Sequence, residues 1–344
     1  MPEPDTTKVN FGALGCGSIV ERSFIPAIKV SPKATLLAAT RSNTSKLADF
    51  CEANNIERAY PTTEALLSDA DIDVVYIATP VGLHVEQIIA AAESGKHVLC
   101  EKPLGLNREE SLKAQHVCSV NGVKLSVAYY RRGFPEVVYI RKLLAERRLG
   151  TLLCVKFHHG TWYSPDLGKE SSWRIDPELG GGGALMDVGS HRIDLVQFLC
   201  GPTRRVCCRL SHQVHEGWPV ETGATALLEL VEGGEGHVSV YFNQRQKTDS
   251  LWIYGSEGNI CCPKVGGGEV VVETDGECKS VALEPTPKSG THIQLVNCVS
   301  GEILEGSENP FSVENVIASE TILDACYRSA RENAWVSIED HKTS

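Results

Sequence analysis

A glycine-spaced segment near the start of the chain, Gly12-Ala13-Leu14-Gly15-Cys16-Gly17-Ser18-Ile19-Val20, ends an apolar run and opens a helical pattern. Gly15 can take a tight turn, Gly17 lets the backbone come close to an anion, and a helix starting at Ser18 and Ile19 offers N–H groups and a positive dipole end. Phosphate cradling follows. Such a G-x-G-x-x-hydrophobic turn between strand and helix binds the pyrophosphate of a dinucleotide, with Gly15, Cys16, Gly17, Ser18 and Ile19 as the contacts. Val20 stands where a third small residue is usual, which calls for slightly wider helix-to-strand packing. Where an NAD-preferring site places an acid, this chain has Thr40-Arg41-Ser42-Asn43, with Lys46 one helical turn on. A guanidinium and hydroxyls suit a 2′-phosphate, so NADP is expected ahead of NAD.

Two further groups could do chemistry. Glu101-Lys102-Pro103 closes an apolar run, at the strand end where open parallel sheets bind ligands. Asp187 and His191 are four residues apart, so on a helix they share a face, and the carboxylate can orient the imidazole. Hydride transfer at a carbinol carbon needs a proton moved at oxygen, work suited to imidazole, while an ammonium stabilises the developing alkoxide.

These residues need elements to hold them. Short, almost continuously apolar runs at 9–14, 35–39, 74–78, 97–100 and 123–127 alternate with helical patterns at 18–30, 43–54, 84–93 and 107–120. That is a doubly wound parallel sheet covered on both faces, an α/β Rossmann domain over residues 1–130. Pro26 should kink or shorten the first helix. Residues 131–344 read as an α+β domain for substrate and oligomerisation. Helices are expected at 135–147, 184–200 and 313–330, with strands at 152–158, 206–212, 225–230, 237–242, 251–254 and 269–273 forming a large, mostly antiparallel open sheet.

Composition bounds the partners. At 344 residues and 42% apolar content two cores are available, and a formal charge of −11 disfavours nucleic acid and anionic lipid. No stretch is apolar enough to span a bilayer, and residues 1–10 are polar and acidic rather than signal-like, so the cytoplasm is the expected compartment. The thirteen cysteines include no CxxC pair and read as buried thiols, with no metal site expected. One broad face of the open sheet would need covering, which suggests a homodimer or homotetramer.

Thr79-Pro80 with His84, then Glu101-Lys102-Pro103, then Gly181-Gly182-Gly183-Ala184-Leu185-Met186-Asp187-Val188-Gly189-Ser190-His191, combine with the glycine turn. Together they resemble the glucose-fructose oxidoreductase and inositol dehydrogenase (Gfo/Idh/MocA) family over nearly the whole chain. The resemblance implies a Rossmann domain followed by a domain with a large open sheet. It also implies that Lys102 touches substrate and nicotinamide, that His191 is the general acid/base meeting Lys102 at the active site, and that Asp187 joins them. Thr79, Pro80, His84 and Glu101 fall at the cofactor. Trp173-Arg174 resembles a pair that contacts the cofactor in NADP-using members, and Arg131 falls where the family surrounds the nicotinamide. The implied activity is hydride transfer between NADP(H) and a hydroxyl or carbonyl of a sugar, polyol or related small molecule. Alternatives are a non-sugar carbonyl, a dihydrodiol or a bilin as substrate, or an idle NADP-binding sensor.

Overall fold

The computed structural model describes residues 7–166 and 170–338, without the side chains of residues 170 and 171. The chain forms two compact units, Met1–Tyr130 with Pro287–Val316, and Arg131–Thr286 with Ile317–Ser344.

The first unit is built on six parallel strands: β1 (Val9–Leu14), β2 (Ala34–Thr40), β3 (Arg58–Ala59), β4 (Val74–Ile77), β5 (His97–Cys100) and β6 (Leu125–Val127), in the order β3-β2-β1-β4-β5-β6. From β1 the chain turns one way to β2 and later crosses to β4 on the other side. The carboxyl ends of β1 and β4 therefore flank a topological switch point, where such sheets bind ligands. Helices Leu47–Asn54, His84–Glu93 and Arg108–Val120 connect the strands, the last capped by Asn107 Oδ1 accepting from Glu110 N at 3.0 Å. Pro26 causes no kink inside an α-helix. It sits at the second position of the α-helix Ile25–Val30, where its missing N–H is harmless, and the preceding residues Val20–Phe24 form a π turn. Val20 is fully buried at the head of that turn.

Residues 287–316 correct the expectation that everything after residue 130 belongs to the second half. Helix Ile293–Glu305 buries Leu295, Val296 and Val299 in the same core as Phe11, Phe24 and Tyr76, and Phe311 O accepts from Val127 N at 2.9 Å. Burial of each such side chain is worth about 1.5–3 kcal/mol, which ties the returning segment to this core.

The second unit holds a nine-stranded sheet among the described residues: β7 (Leu152–Trp162), β8 (Thr203–Ser211), β9 (Gly223–Leu230), β10 (Glu235–Tyr241), β11 (Asn243–Gly255), β12 (Gly258–Cys262), β13 (Glu269–Thr274), β14 (Glu277–Ala282) and β15 (Val336–Ser337). Their order is β14-β13-β12-β11-β7-β10-β9-β8-β15, antiparallel throughout except for the parallel pair β7 and β10. The strand period of two is visible in β7, where Val155 and Phe157 are buried and Lys156 is exposed. The cysteine pairs alternate likewise: Cys208 and Cys262 are buried while Cys207 and Cys261 are half-buried. Against the apolar face packs helix Ser190–Cys200, preceded by a second π turn at Leu185–Gly189. No helix of the described residues is long and apolar enough to cross a membrane.

Candidate active site

At the switch point of the first unit the glycines have separate reasons. Gly15 has φ +81°, and a Cβ there would sit 2.7 Å from Thr79 Cγ2 and 2.9 Å from Ala78 O, so both dihedral and space demand glycine. Gly12 is enclosed by Leu66 and Ile72 and serves packing alone. Gly17 differs: a Cβ on it would meet nothing nearer than Gly15 O at 3.9 Å. The protein's own packing does not require glycine there, whereas a phosphate seated on the turn does, and the residues thus fit a dinucleotide. The turn is tied to the end of β2, since Gly15 N and Cys16 Sγ both donate to Thr40 O, at 3.2 and 3.4 Å. Burial pushes the Cys16 thiol up to about 12, so it packs and does not react. Ser18 is exposed and Ile19 half-buried at the helix start. Beyond β2, Arg41 lies 5.7 Å from the Phe50 ring centroid, with Ser42 and Lys46 exposed beside it.

The loops after β4 and β5 lock together. Thr79 donates its hydroxyl to Gln87 Oε1 at 2.7 Å, leaving Pro80 to lead into a short 3₁₀ turn. His84 was expected at the cofactor, but its ring is enclosed: Nδ1 lies 2.9 Å from Pro103 O and Nε2 3.0 Å from Thr79 O. Burial holds its pKa below the ordinary value against the pull of those carbonyls. His84 therefore braces the loop of Lys102, which precedes a cis Pro103. Glu101, likewise expected at the cofactor, is taken up inside the unit. Its Oε1 accepts from Tyr76 Oη at 2.7 Å and faces His292 Nε2 at 3.0 Å, while Oε2 accepts from Lys102 N at 3.3 Å. Burial opposes ionisation of Glu101, yet His292, Lys102 and Tyr76 outweigh it and keep the carboxyl below its usual range. Lys102 itself is half-buried at the end of this brace.

In the second unit the glycine run makes room for its neighbours. Gly181 takes φ +78°; a Cβ on Gly182 would strike Tyr327 Oη, and one on Gly183 would strike Glu221 O. Glu221 is buried and accepts from both Leu185 N, at 2.9 Å, and Tyr327 Oη, at 2.8 Å, which fixes the entry of the π turn. Asp187 lies within that turn and His191 follows it in the first turn of helix Ser190–Cys200, half-buried and buried respectively. Such π turns recur at functional sites. Asp187 Oδ2 has Arg174 Nε as an ion partner at 3.6 Å, and the Arg174 guanidinium stacks 4.4 Å over Trp173. Trp173 and Arg174 are thus joined to Asp187, a relation their sequence positions did not reveal.

Arg131, expected at the nicotinamide, is held by Asp249 Oδ2 at 2.9 Å. Asp194, three residues beyond His191, faces neither solvent nor an open site: it is 1% exposed, paired bidentately with Arg132 at 2.6–3.1 Å and accepting from Ser319 Oγ at 3.0 Å. Buried Arg192 and His159 form a second cluster with the half-buried Asp249, which sequence reasoning missed.

A doubly wound sheet with a glycine turn at its switch point, followed along the chain by a large open sheet, defines a dinucleotide-dependent enzyme of two domains. Residues 9–129 match the oxidoreductase family with an NAD-binding Rossmann fold, and residues 137–261 match the GFO/IDH/MocA C-terminal domain. The chain belongs to the Gfo/Idh/MocA family and is an NAD(P)-dependent oxidoreductase. It is 28% identical to Oxidoreductase P35 of Formosa agariphila, over 92% of this chain and 98% of that protein. It is 29% identical to D-xylose 1-dehydrogenase (NADP(+)) 2 of Haloferax volcanii, over 96% and 99%. Among solved structures, levoglucosan dehydrogenase in complex with NADH and levoglucosan superposes with a TM-score of 0.89 at 26% identity, covering 96% of this chain and 99% of that one.

Proposed function

We propose that this protein transfers a hydride between NADP(H) and a carbinol or carbonyl carbon of a sugar or polyol. The observation that carries the cofactor choice is the basic, hydroxyl-bearing corner after β2. Thr40, Arg41, Ser42 and Lys46 stand there, and residues 40–46 include no acid. A 2′-phosphate is attracted there and a bare ribose gains little. The sugar class is supported by relatives whose names specify D-xylose, levoglucosan and scyllo-inositol as substrates.

When bound, the pyridine nucleotide supplies the hydride donor or acceptor. The backbone N–H groups of Ser18 and Ile19 at the helix start would hold its pyrophosphate, while Gly15, whose N–H is given to Thr40 O, shapes the turn and Gly17 leaves the phosphate room. His191 takes the proton from the substrate hydroxyl onto an imidazole nitrogen in oxidation and returns it in reduction. Lys102, with its backbone N–H fixed by Glu101, places an ammonium at the developing alkoxide, and Asp187 with Arg174 sets the charge near the imidazole. The thirteen thiols support a reducing, cytoplasmic setting. Trp252 and Leu227, at 41% and 39% exposure in one cross-strand row of the open sheet, support pairing of two copies through that face. Light scattering reads the assembly directly.

The test is absorbance of reduced nicotinamide with NADP+ or NAD+ and a panel of D-xylose, levoglucosan and scyllo-inositol. Turnover favouring NADP+ supports the reading; nucleotide binding without turnover of any of them, unaltered by His191→Ala, makes the chain a sensor instead.

A further inference from the structure

We infer that Arg192 is a positioning residue for His191, acting through the π turn that delivers the imidazole; this rests on reading His191 as the proton-transfer group. A change from i→i−5 back to i→i−4 bonding skips a backbone carbonyl, which must find another donor. Val188 O, at the end of the turn Leu185–Gly189, accepts from Arg192 Nη1 at 2.8 Å. The other arm of the same guanidinium reaches the sheet: Nη2 donates to Asp249 Oδ1 on β11 at 2.6 Å and to His159 Nδ1 on β7 at 2.9 Å.

Guanidinium nitrogens only donate, so His159 Nδ1 is an acceptor here and the ring is neutral, in keeping with its burial. Arg192 thus ties the π turn to two strands, one residue after His191. Asp194, two residues further, ties the same helix to Arg132 and Ser319. Buried ion pairs add little net stability over apolar packing, but they fix geometry because each partner has one place to go. A helix pinned by charge at two points within one turn of its imidazole is built for register.

The test compares Arg192→Met and Arg192→Lys with wild type, using NADP+ and whichever of D-xylose, levoglucosan and scyllo-inositol is turned over fastest. Arg192→Met is expected to lower kcat by roughly tenfold or more while KM and the NADPH dissociation constant change by less than about twofold. Lysine, a point charge without the planar fork, should restore only part of kcat. In a His191→Ala background the further change Arg192→Met should alter kcat by less than about twofold. A folded Arg192→Met with wild-type kcat, or losses that multiply in the double variant, would overturn the inference. If no sugar is turned over, the reading of His191 fails, yet Arg192 is still decided in ¹⁵N-histidine-labelled protein. Displacement of the His191 ring signal in Arg192→Lys, with the His84 signal unmoved, supports positioning; an unmoved His191 signal sinks it.

Discussion

Glu101 Oε1 lies 3.0 Å from Nε2 of His292, a residue contributed by the segment that returns to the first unit late in the chain. The carboxylate that accepts from the Lys102 backbone is therefore held by a side chain 191 positions away in sequence. Replacing His292 with Leu leaves Glu101 buried with one partner fewer. We expect a loss of roughly 1–3 kcal/mol in urea unfolding, with a fall in kcat as Lys102 loosens. Unchanged stability would mean that Tyr76 and the Lys102 N–H suffice to hold Glu101.

The two glycines of the turn should respond oppositely to alanine. Gly15→Ala meets a positive φ and Thr79, so stability falls by roughly 1–3 kcal/mol. Gly17→Ala has space, so the thermal midpoint holds within a few degrees, a change of about 0.5 kcal/mol, while NADPH affinity drops at least about tenfold. Calorimetry and fluorescence titration separate the two effects.

Arg41→Ala should weaken NADPH by about tenfold or more, the worth of a charge-assisted phosphate contact, and NADH by less than about threefold. Equal weakening of both nucleotides would remove the assignment of the 2′-phosphate to this corner.

Asp249 gives stability a pH dependence of known sign. Burial works against its ionisation, but Arg192 and Arg131 outweigh burial and hold the carboxyl well below its usual range. On acidification the unfolded chain takes up a proton near the ordinary Asp value of about 3.9 while the folded protein does not. Stability from this group is therefore full above that pH and is lost as pH falls toward the folded pKa. Urea midpoints at pH 7, 5, 4 and 3 should fall more steeply for wild type than for Asp249→Asn, which should already be weaker at pH 7. Parallel curves would contradict the ionised Asp249.

What could be read from the sequence was local. β1, β5 and helix His84–Glu93 follow from apolar runs and periodicity with the bounds the structure has, and the glycine turn announces its own place between strand and helix. What could not be read depends on pairing across distance. Asp194 looks like any polar residue one turn past His191 until Arg132, 62 residues earlier, closes on it. Helix Ser190–Cys200 is buried on most sides, so amphipathic spacing gives no hint that its charges point inward. Helix Ile293–Glu305 carries an apolar face as pronounced as that of His84–Glu93, but nothing local shows that this face serves a core assembled from the other end of the chain. The π turns were invisible for a simpler reason: one extra residue in a turn leaves no mark on composition.

In the proposed function Lys102 and His191 serve one chemical step, and kcat/KM for NADP+-dependent oxidation of D-xylose, levoglucosan or scyllo-inositol in wild type, Lys102→Ala, His191→Ala and the double variant decides it. Groups acting as a unit are not additive, so each single change is expected to cost roughly a hundredfold or more, and the double variant little beyond the worse single one. Near-normal turnover in His191→Ala, or losses that simply multiply, would contradict it.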